Sequence, residues 1–146
     1  MSRKIVHVVG TGTIGEPLIG LLADYRDQLG IDEVTFNKNS AVKGDFSKIN
    51  GLLRRGARLS VGEGKIKEFK ALGMDADFET EEAIKRASVV IDCTPSGVGH
   101  KNKEKYYHEL RVKVASMEDE HNRQRKKLEY LILETDNDQK EKEDLK

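Results

Sequence analysis

The amino-acid sequence predicts an α/β domain built on a doubly wound parallel sheet, and three observations support this fold class. A β-branched run, residues 5–9, leads directly into a glycine-rich turn and then into a helical pattern. Strand-like and helix-like segments alternate from residue 5 to about residue 116. A second apolar run, residues 89–93, is continuous rather than alternating, which is typical of a parallel strand covered on both faces.

The predicted elements follow one another along the chain. Their spacing and stop signals predict strands at 5–9, 33–37, 57–61 and 89–93, and helices after residue 15 and at 44–55, 65–72 and 81–87. Gly56 and Gly73 are the expected helix stops. Thr80 is expected to cap the last helix, whose first turn carries acidic residues that suit the helix dipole.

The turn after the first strand reads Gly-Thr-Gly-Thr-Ile-Gly. In a dinucleotide-binding unit with this G-x-G-x-x-G spacing, Gly10 allows the sharp turn and Gly12 lets the backbone approach a pyrophosphate. Gly15 lets the helix lie close to the strand, so that the helix N-terminus faces the phosphates. Thr13 and Ile14 complete the predicted pyrophosphate contact. The alternative is a plain glycine-rich surface turn.

The end of the second predicted strand bears on the choice of cofactor. Folds that prefer NAD place an acid there, about 20 residues past the glycines, to bond the ribose 2′-hydroxyl. Residues 36–40 contain no acid, and Glu33 lies at the other end of the strand. Lys38, with amide and hydroxyl neighbours, suits the 2′-phosphate of NADP; the alternative is a solvated loop lysine. We expect NADP or NAD as the cofactor.

The loop after the last predicted strand is the second candidate contact with the cofactor. Ligands of doubly wound sheets bind in the crevice outside the carboxyl ends of the strands. Thr94, Pro95, Ser96 and Gly97 stand at that position and offer N–H groups, two hydroxyls and a glycine. We expect these four residues to close the site.

These segments resemble the archaeal-type (type II) glyceraldehyde-3-phosphate dehydrogenases. The matching runs are residues 10–15, 37–40, 55–59 and, most specifically, 90–102, which is followed by two tyrosines. The resemblance covers residues 4 to about 113 and implies the nucleotide-binding half of such an enzyme, with Lys38 again at the 2′ position. For the intact enzyme it implies oxidation of an aldehyde phosphate through a cysteine thioester, hydride transfer to the nicotinamide and a homo-oligomer.

The chain also departs from that family. The family has asparagine before the first glycine and an aromatic residue between the first two, where Val9 and Thr11 stand here. The family continues with a strand, a Gln-Gly-Gly type turn and a catalytic domain, whereas residues 114–118 replace the turn. We therefore expect a cofactor half that has no catalytic residue and is inactive by itself.

The single cysteine and the histidines are interpreted as structural residues. Cys93 is expected to be a small buried hydrophobe, because the charge of Asp92 would raise rather than lower the pKa of its thiol. His7 is expected to pack in the core. His100 forms neither a triad nor a metal site with its neighbours, and the spacing of the other two histidines does not suit metal binding.

Composition separates a domain, residues 1–116, from a charged tail, residues 117–146. The tail holds 10 acidic and 7 basic residues, a charge of −3, so the remaining 16 acidic and 19 basic residues give the front part +3. Neither charge indicates nucleic acid as a partner, no apolar run could span a membrane, and one cysteine is typical of a cytoplasmic protein. Leu128, Leu131 and Ile132 predict a partly docked helix before a disordered end; a partner-binding coiled coil is the alternative.

Two other functional interpretations remain open at this point. One is a non-enzymatic nucleotide-binding or assembly module whose charged tail contacts a partner. The other is a reductase that uses the same half-fold, such as a semialdehyde dehydrogenase. This interpretation has less support, because the sequence of residues 94–102 does not suggest such an enzyme.

Overall fold

The computed structural model describes residues 3–107, 113–116 and 123–127. These residues form a six-stranded sheet. Its strands are β1 (Ile5–Val9), β2 (Glu33–Lys38), β3 (Arg58–Val61), β4 (Ala76–Glu79), β5 (Val89–Asp92) and β6 (Lys113–Ser116).

A helix lies between each pair of consecutive strands. They are α1 (Gly15–Asp24), α2 (Phe46–Arg54), α3 (Ile66–Ala71), α4 (Thr80–Arg86) and α5 (Val98–Asn102). A 3₁₀ turn, Lys43–Asp45, leads into α2, and a π-helical turn, Lys103–Tyr107, continues α5. Residues 123–127 are helical and exposed.

The sheet is parallel throughout, with strand order β4-β3-β2-β1-β5-β6. From β1 the chain first moves outward through β2, β3 and β4, and then returns to place β5 on the other side of β1. This reversal between β1 and β5 is the topological switch point at which doubly wound sheets open a crevice. The predicted fold class is confirmed.

Each face of the sheet is covered by its own apolar cluster. On one face Val8 and Phe36 pack against residues of the first three helices, among them Ile19, Ile49 and Phe69, all completely buried. On the other face a smaller cluster joins β1 and β5 to α4 and the π-helical turn, through residues that include Ile84 and Tyr107. Close packing on both faces fixes the strand ends, and with them the loops that leave the sheet.

A buried carboxylate binds arginines at the end of the sheet where the parallel strands begin. Glu33, only 4% exposed, accepts a bidentate pair of hydrogen bonds from Arg86 at 2.8 and 2.9 Å. Arg3 and Arg58 approach the same carboxylate at 3.2 and 3.4 Å. Burial opposes ionisation, but these guanidinium groups outweigh it and hold the pKa of Glu33 below its usual value. Glu33 is the first residue of β2, so this cluster lies at the opposite end of the strand from the predicted cofactor site.

The structure differs from the sequence-based prediction in a few elements. The strands β4 and β6 and the helix α5 were not predicted. Thr80 is the first residue of α4 and makes no side-chain cap, so the capping prediction is wrong. Its hydroxyl instead contacts the Val61 carbonyl oxygen at 3.0 Å and the Asn37 Oδ1 atom at 2.6 Å, because it is buried against β2 and β3.

The structure describes only residues 123–127 of the tail, and these are helical. Leu128, Leu131 and Ile132, from which the docked helix was predicted, and the predicted disordered end lie outside the described residues. In the described ranges, no helix combines the length and the apolar character needed to cross a bilayer.

Candidate functional site

A cleft of about 590 Å³ opens at the carboxyl ends of β1, β2 and β5, at the switch point of the sheet. Three chain segments and one helix side chain line it: residues 9–14, residues 37–40, residues 93–95 and Lys48. The position and the segments are those in which doubly wound sheets bind nucleotides.

The three glycines after β1 lie in three different structural environments. Gly10 has a φ of +99°, and a Cβ atom there would lie 3.1 Å from backbone atoms of Cys93. A Cβ atom on Gly15 would lie 1.9 Å from the Gly10 carbonyl oxygen, so α1 packs directly on the turn. A Cβ atom on Gly12 would meet no protein atom within 4 Å. The protein itself therefore leaves open space at Gly12, as a close-approaching ligand requires.

The N-terminus of α1 adjoins this cleft. The helix begins at Gly15, and no side chain caps it at Ile14. The amide of Glu16 already bonds to the Gly12 carbonyl oxygen at 3.1 Å, so the glycine turn runs continuously into the helix. The partial positive charge of a helix N-terminus, combined with an open glycine turn, favours an anion such as phosphate.

Two lysines and one aspartate form a charged cluster on the β2 side of the cleft. The Lys38 Nζ atom lies 3.0 Å from Asp45 Oδ2, and Lys48 Nζ lies 3.5 Å from Asp45 Oδ1. Lys48 also donates a hydrogen bond of 3.1 Å to the carbonyl oxygen of Thr11, within the glycine turn. The hydrogen bond from Lys38 outweighs partial burial and holds the pKa of Asp45 below its usual value.

The loop after β5 is anchored to a buried aspartate. Asp92 is 1% exposed. One of its oxygens accepts bonds from the backbone amide and the hydroxyl of Thr94, and the other accepts from Asn102 Nδ2 at 3.0 Å and from the Tyr107 hydroxyl at 2.9 Å. Burial and the neighbouring Asp92 raise the pKa of Tyr107, so its hydroxyl remains a donor. Four hydrogen bonds thus fix the wall of the cleft that Thr94 and Pro95 provide.

A second polar network supports the end of β2. The Asn37 Oδ1 atom lies 2.6 Å from Thr80 Oγ1 and 3.3 Å from Ser60 Oγ, and Asn37 Nδ2 donates to Asn39 Oδ1 at 2.9 Å. A smaller cavity of about 190 Å³ adjoins this network and extends to Tyr106. The network holds the backbone that carries Lys38.

Cys93 has no feature of an activated nucleophile. Burial and the charge of Asp92 both raise the pKa of its thiol, in the predicted direction. The prediction placed it inside the strand as a small buried hydrophobe, whereas it follows the last residue of β5 and is half-buried. It packs against the main apolar cluster and also lines the cleft.

The two histidines in the described ranges take no part in the cleft. His7 is buried in β1, as predicted, with its Nδ1 atom 2.7 Å from Thr35 Oγ1. His100 is exposed and lies 3.3 Å from Glu104. Within those ranges no group of three potential metal-ligating side chains comes together.

The structure brings most, but not all, of the predicted site residues together. Gly10, Gly12, Thr13, Ile14, Lys38, Thr94 and Pro95 line the cleft. Gly15 lies behind the turn, while Ser96 and Gly97 are exposed and outside the lining. Sequence reasoning missed Lys48 and Asp45, which reach the site from the start of α2 and carry no local motif that could have identified them.

Comparisons with known proteins show which enzymes the chain resembles. No protein-family model matches it. It is 30% identical over 107 residues to a glyceraldehyde-3-phosphate dehydrogenase of Pyrobaculum calidifontis, covering 72% of this chain and 28% of that protein. It is 32% identical over 108 residues to glyceraldehyde-3-phosphate dehydrogenase 1 of Methanosarcina acetivorans, covering 73% of this chain and 30% of that protein.

The resemblance to archaeal glyceraldehyde-3-phosphate dehydrogenases that the motifs predicted is therefore confirmed. The matched segment spans less than a third of the length of these relatives. Together with the parallel sheet, the relatives support the predicted NAD(P)-binding domain of glyceraldehyde-3-phosphate dehydrogenase type.

Proposed function

We propose that the cleft binds NADP or NAD, and that the chain is the cofactor-binding part of an oxidoreductase similar to glyceraldehyde-3-phosphate dehydrogenase. The observation that carries the proposal is the glycine turn at the switch point, where Gly12 leaves open space in front of the N-terminus of α1. A pyrophosphate fits that space because its charge is favoured by the helix end and its bulk is admitted by the missing side chain.

Lys48 would supply the counter-charge for the pyrophosphate. Its ammonium group already lies at the glycine turn, bonded to Thr11. An ammonium held near a bound diphosphate attracts it as a point charge, and the partial burial of Lys48, 27% exposed, reduces screening by salt.

Lys38 would face the 2′ position of the adenosine ribose. It ends β2 beside the glycine turn, as the acid does in folds that select NAD. A lysine there attracts the 2′-phosphate of NADP, and Asn37, Asn39 and Ser40 provide neighbouring polar groups.

The loop after β5 would form the opposite wall. Thr94 and Pro95 line the cleft, and the hydrogen bonds to Asp92 hold them in place. Ser96 and Gly97 lie next to them along an exposed stretch and would close over the cofactor when it binds.

The proposed activity of the intact enzyme is oxidation of an aldehyde phosphate through a cysteine thioester, with hydride passing to the nicotinamide. No catalytic role is assigned to a described residue, and the raised pKa of Cys93 argues against its use as the nucleophile. Cytoplasmic location and assembly into a homo-oligomer belong to the same proposal.

Thermal unfolding of the full chain with three nucleotides and one nucleoside tests the proposal. A ligand that binds only the folded state raises the midpoint of unfolding. NADP, NAD and ADP, which all carry a diphosphate, should raise it, whereas adenosine should not. Equal stabilisation by adenosine, or none by the three diphosphates, would contradict binding through the glycine turn.

A further inference from the structure

Asp45 occupies an unusual place beside the proposed 2′ site. Its carboxylate contacts both lysines of the cleft, Lys38 at 3.0 Å and Lys48 at 3.5 Å. All three side chains are partly withdrawn from water, with 19%, 20% and 27% exposure for Asp45, Lys38 and Lys48. Charges in such positions interact more strongly than those of fully solvated pairs.

The carboxylate is directed at the lysines instead of at its own helix. Asp45 stands at the N-cap position of α2, where aspartate commonly accepts a hydrogen bond from a backbone amide. No side-chain cap is formed there. The carboxylate that could stabilise the helix start instead contacts two lysines that line the cleft.

We infer that Asp45 is a specificity-determining residue for the 2′ position of the dinucleotide, where it shifts the preference from NADP towards NAD. This inference rests on the proposed function. Its carboxylate reduces the positive charge that Lys38 presents to a 2′-phosphate, and it repels that phosphate directly. A ribose 2′-hydroxyl carries no charge to repel and can donate a hydrogen bond to a carboxylate.

The charge of the cluster sets the direction of the effect. Two lysines and one aspartate sum to +1, and replacement of Asp45 by asparagine raises the sum to +2. A 2′-phosphate carries about two negative charges and responds strongly to this change, whereas NAD lacks that group. Asp45→Asn should therefore raise the ratio of NADP affinity to NAD affinity by about tenfold, which corresponds to a difference in binding free energy of about 1.4 kcal/mol.

The experiment measures the dissociation constants of NADP and NAD for the full chain and for Asp45→Asn, at low and at high salt. Asp24→Asn is the matched control, because it removes the same charge from an exposed pair with Arg55 at the far end of α1. The control should leave the ratio unchanged. Asp45→Ser keeps a good helix N-cap and should change the ratio as Asp45→Asn does, which separates charge from local folding.

The change should also depend on the partner lysine and on salt. In a Lys38→Met background, Asp45→Asn should change the ratio much less, because the 2′-phosphate has lost the group that Asp45 shields. High salt should reduce the change in the single variant.

The possible failures are distinguishable. If the parent chain binds neither dinucleotide, the proposed function fails and this inference fails with it. If both bind and both Asp45 variants keep the parent ratio, only the role of Asp45 is overturned. An equal change in Asp24→Asn would also overturn it, because net charge alone would then explain the effect.

Discussion

Gly15→Ala is expected to destabilise the fold, while Gly12→Ala is expected to leave it intact. The two positions lie three residues apart in the same turn and differ in what surrounds them. The Cβ of an alanine at position 15 would lie 1.9 Å from the Gly10 carbonyl oxygen and 2.7 Å from its carbonyl carbon. Neither is the end of a flexible side chain, so α1 must move away from β1.

The size of the effect follows from that distance. Ordinary contact begins at 3.4 Å, so the oxygen and the new methyl group must separate by about 1.5 Å, the difference between 3.4 and 1.9 Å. Overpacking of this kind costs about 1–3 kcal/mol. At position 12 the methyl group meets nothing within 4 Å and φ is not positive, so we expect a change within about 0.5 kcal/mol.

Urea unfolding followed by circular dichroism measures both variants against the parent. The midpoint should fall for Gly15→Ala and stay close to the parent value for Gly12→Ala, with equal slopes. Equal stability of Gly15→Ala and the parent would refute the tight contact between turn and helix. A large loss in Gly12→Ala would show that glycine at position 12 serves the fold rather than a ligand.

Three further predictions concern other parts of the molecule. Lys38→Asp should reverse the preference for NADP over NAD, because the new carboxylate repels a 2′-phosphate and accepts a hydrogen bond from a 2′-hydroxyl. The ratio of the two affinities should change by roughly tenfold to a hundredfold. Calorimetry with both cofactors measures this ratio, and an unchanged ratio contradicts the prediction. Burial lowers the pKa of His7 from 6.5 to about 4, so the unfolded chain takes up the proton first, and stability present above pH 6.5 is lost as the pH falls towards 4. About 2 kcal/mol should be lost between pH 7 and pH 5, and urea titrations of His7→Gln should lack this loss. Tyr107→Phe should cost about 1–3 kcal/mol in the same assay, because it removes a donor from the buried carboxylate of Asp92; no loss would argue against that network.

The elements that the sequence predicted well are those whose residues carry their own signal. The strand before the glycine turn is mostly apolar and β-branched, and it was predicted with its observed bounds. The start of the helix after the turn was predicted within a residue or two of its observed position. The same holds for the helices that end before Gly56 and Gly73. Here local pattern and tertiary packing agree, which makes such segments predictable.

The strand β4 was missed because its residues lack that signal. It reads Ala-Asp-Phe-Glu, and only Phe78 is buried. As an edge strand it pairs on one side only, with β3, so polar residues are tolerated and no apolar run develops. The role of Thr80 was misread for a related reason, since its tertiary partners Asn37 and Val61 are distant in sequence.

Within the candidate site, the motif residues could be predicted and the residues that modulate them could not. The glycine turn and Lys38 belong to segments that follow strands, and strand ends meet at one edge of a parallel sheet. Lys48 and Asp45 come from the start of α2, and only the folded packing of α2 brings them to the cleft. Nothing local distinguishes them from other charged residues of a helix start.

Calorimetric titration of the full chain and of Gly12→Val with NADP and with NAD tests the central claim most directly. Valine at position 12 would fill the open space in front of the helix N-terminus without meeting protein atoms at its Cβ. We predict that the parent binds a dinucleotide and that Gly12→Val does not, while the circular dichroism spectrum and the urea midpoint of the variant stay close to those of the parent. Unchanged affinity in a folded Gly12→Val protein would remove the glycine turn from the binding site and contradict the proposed function.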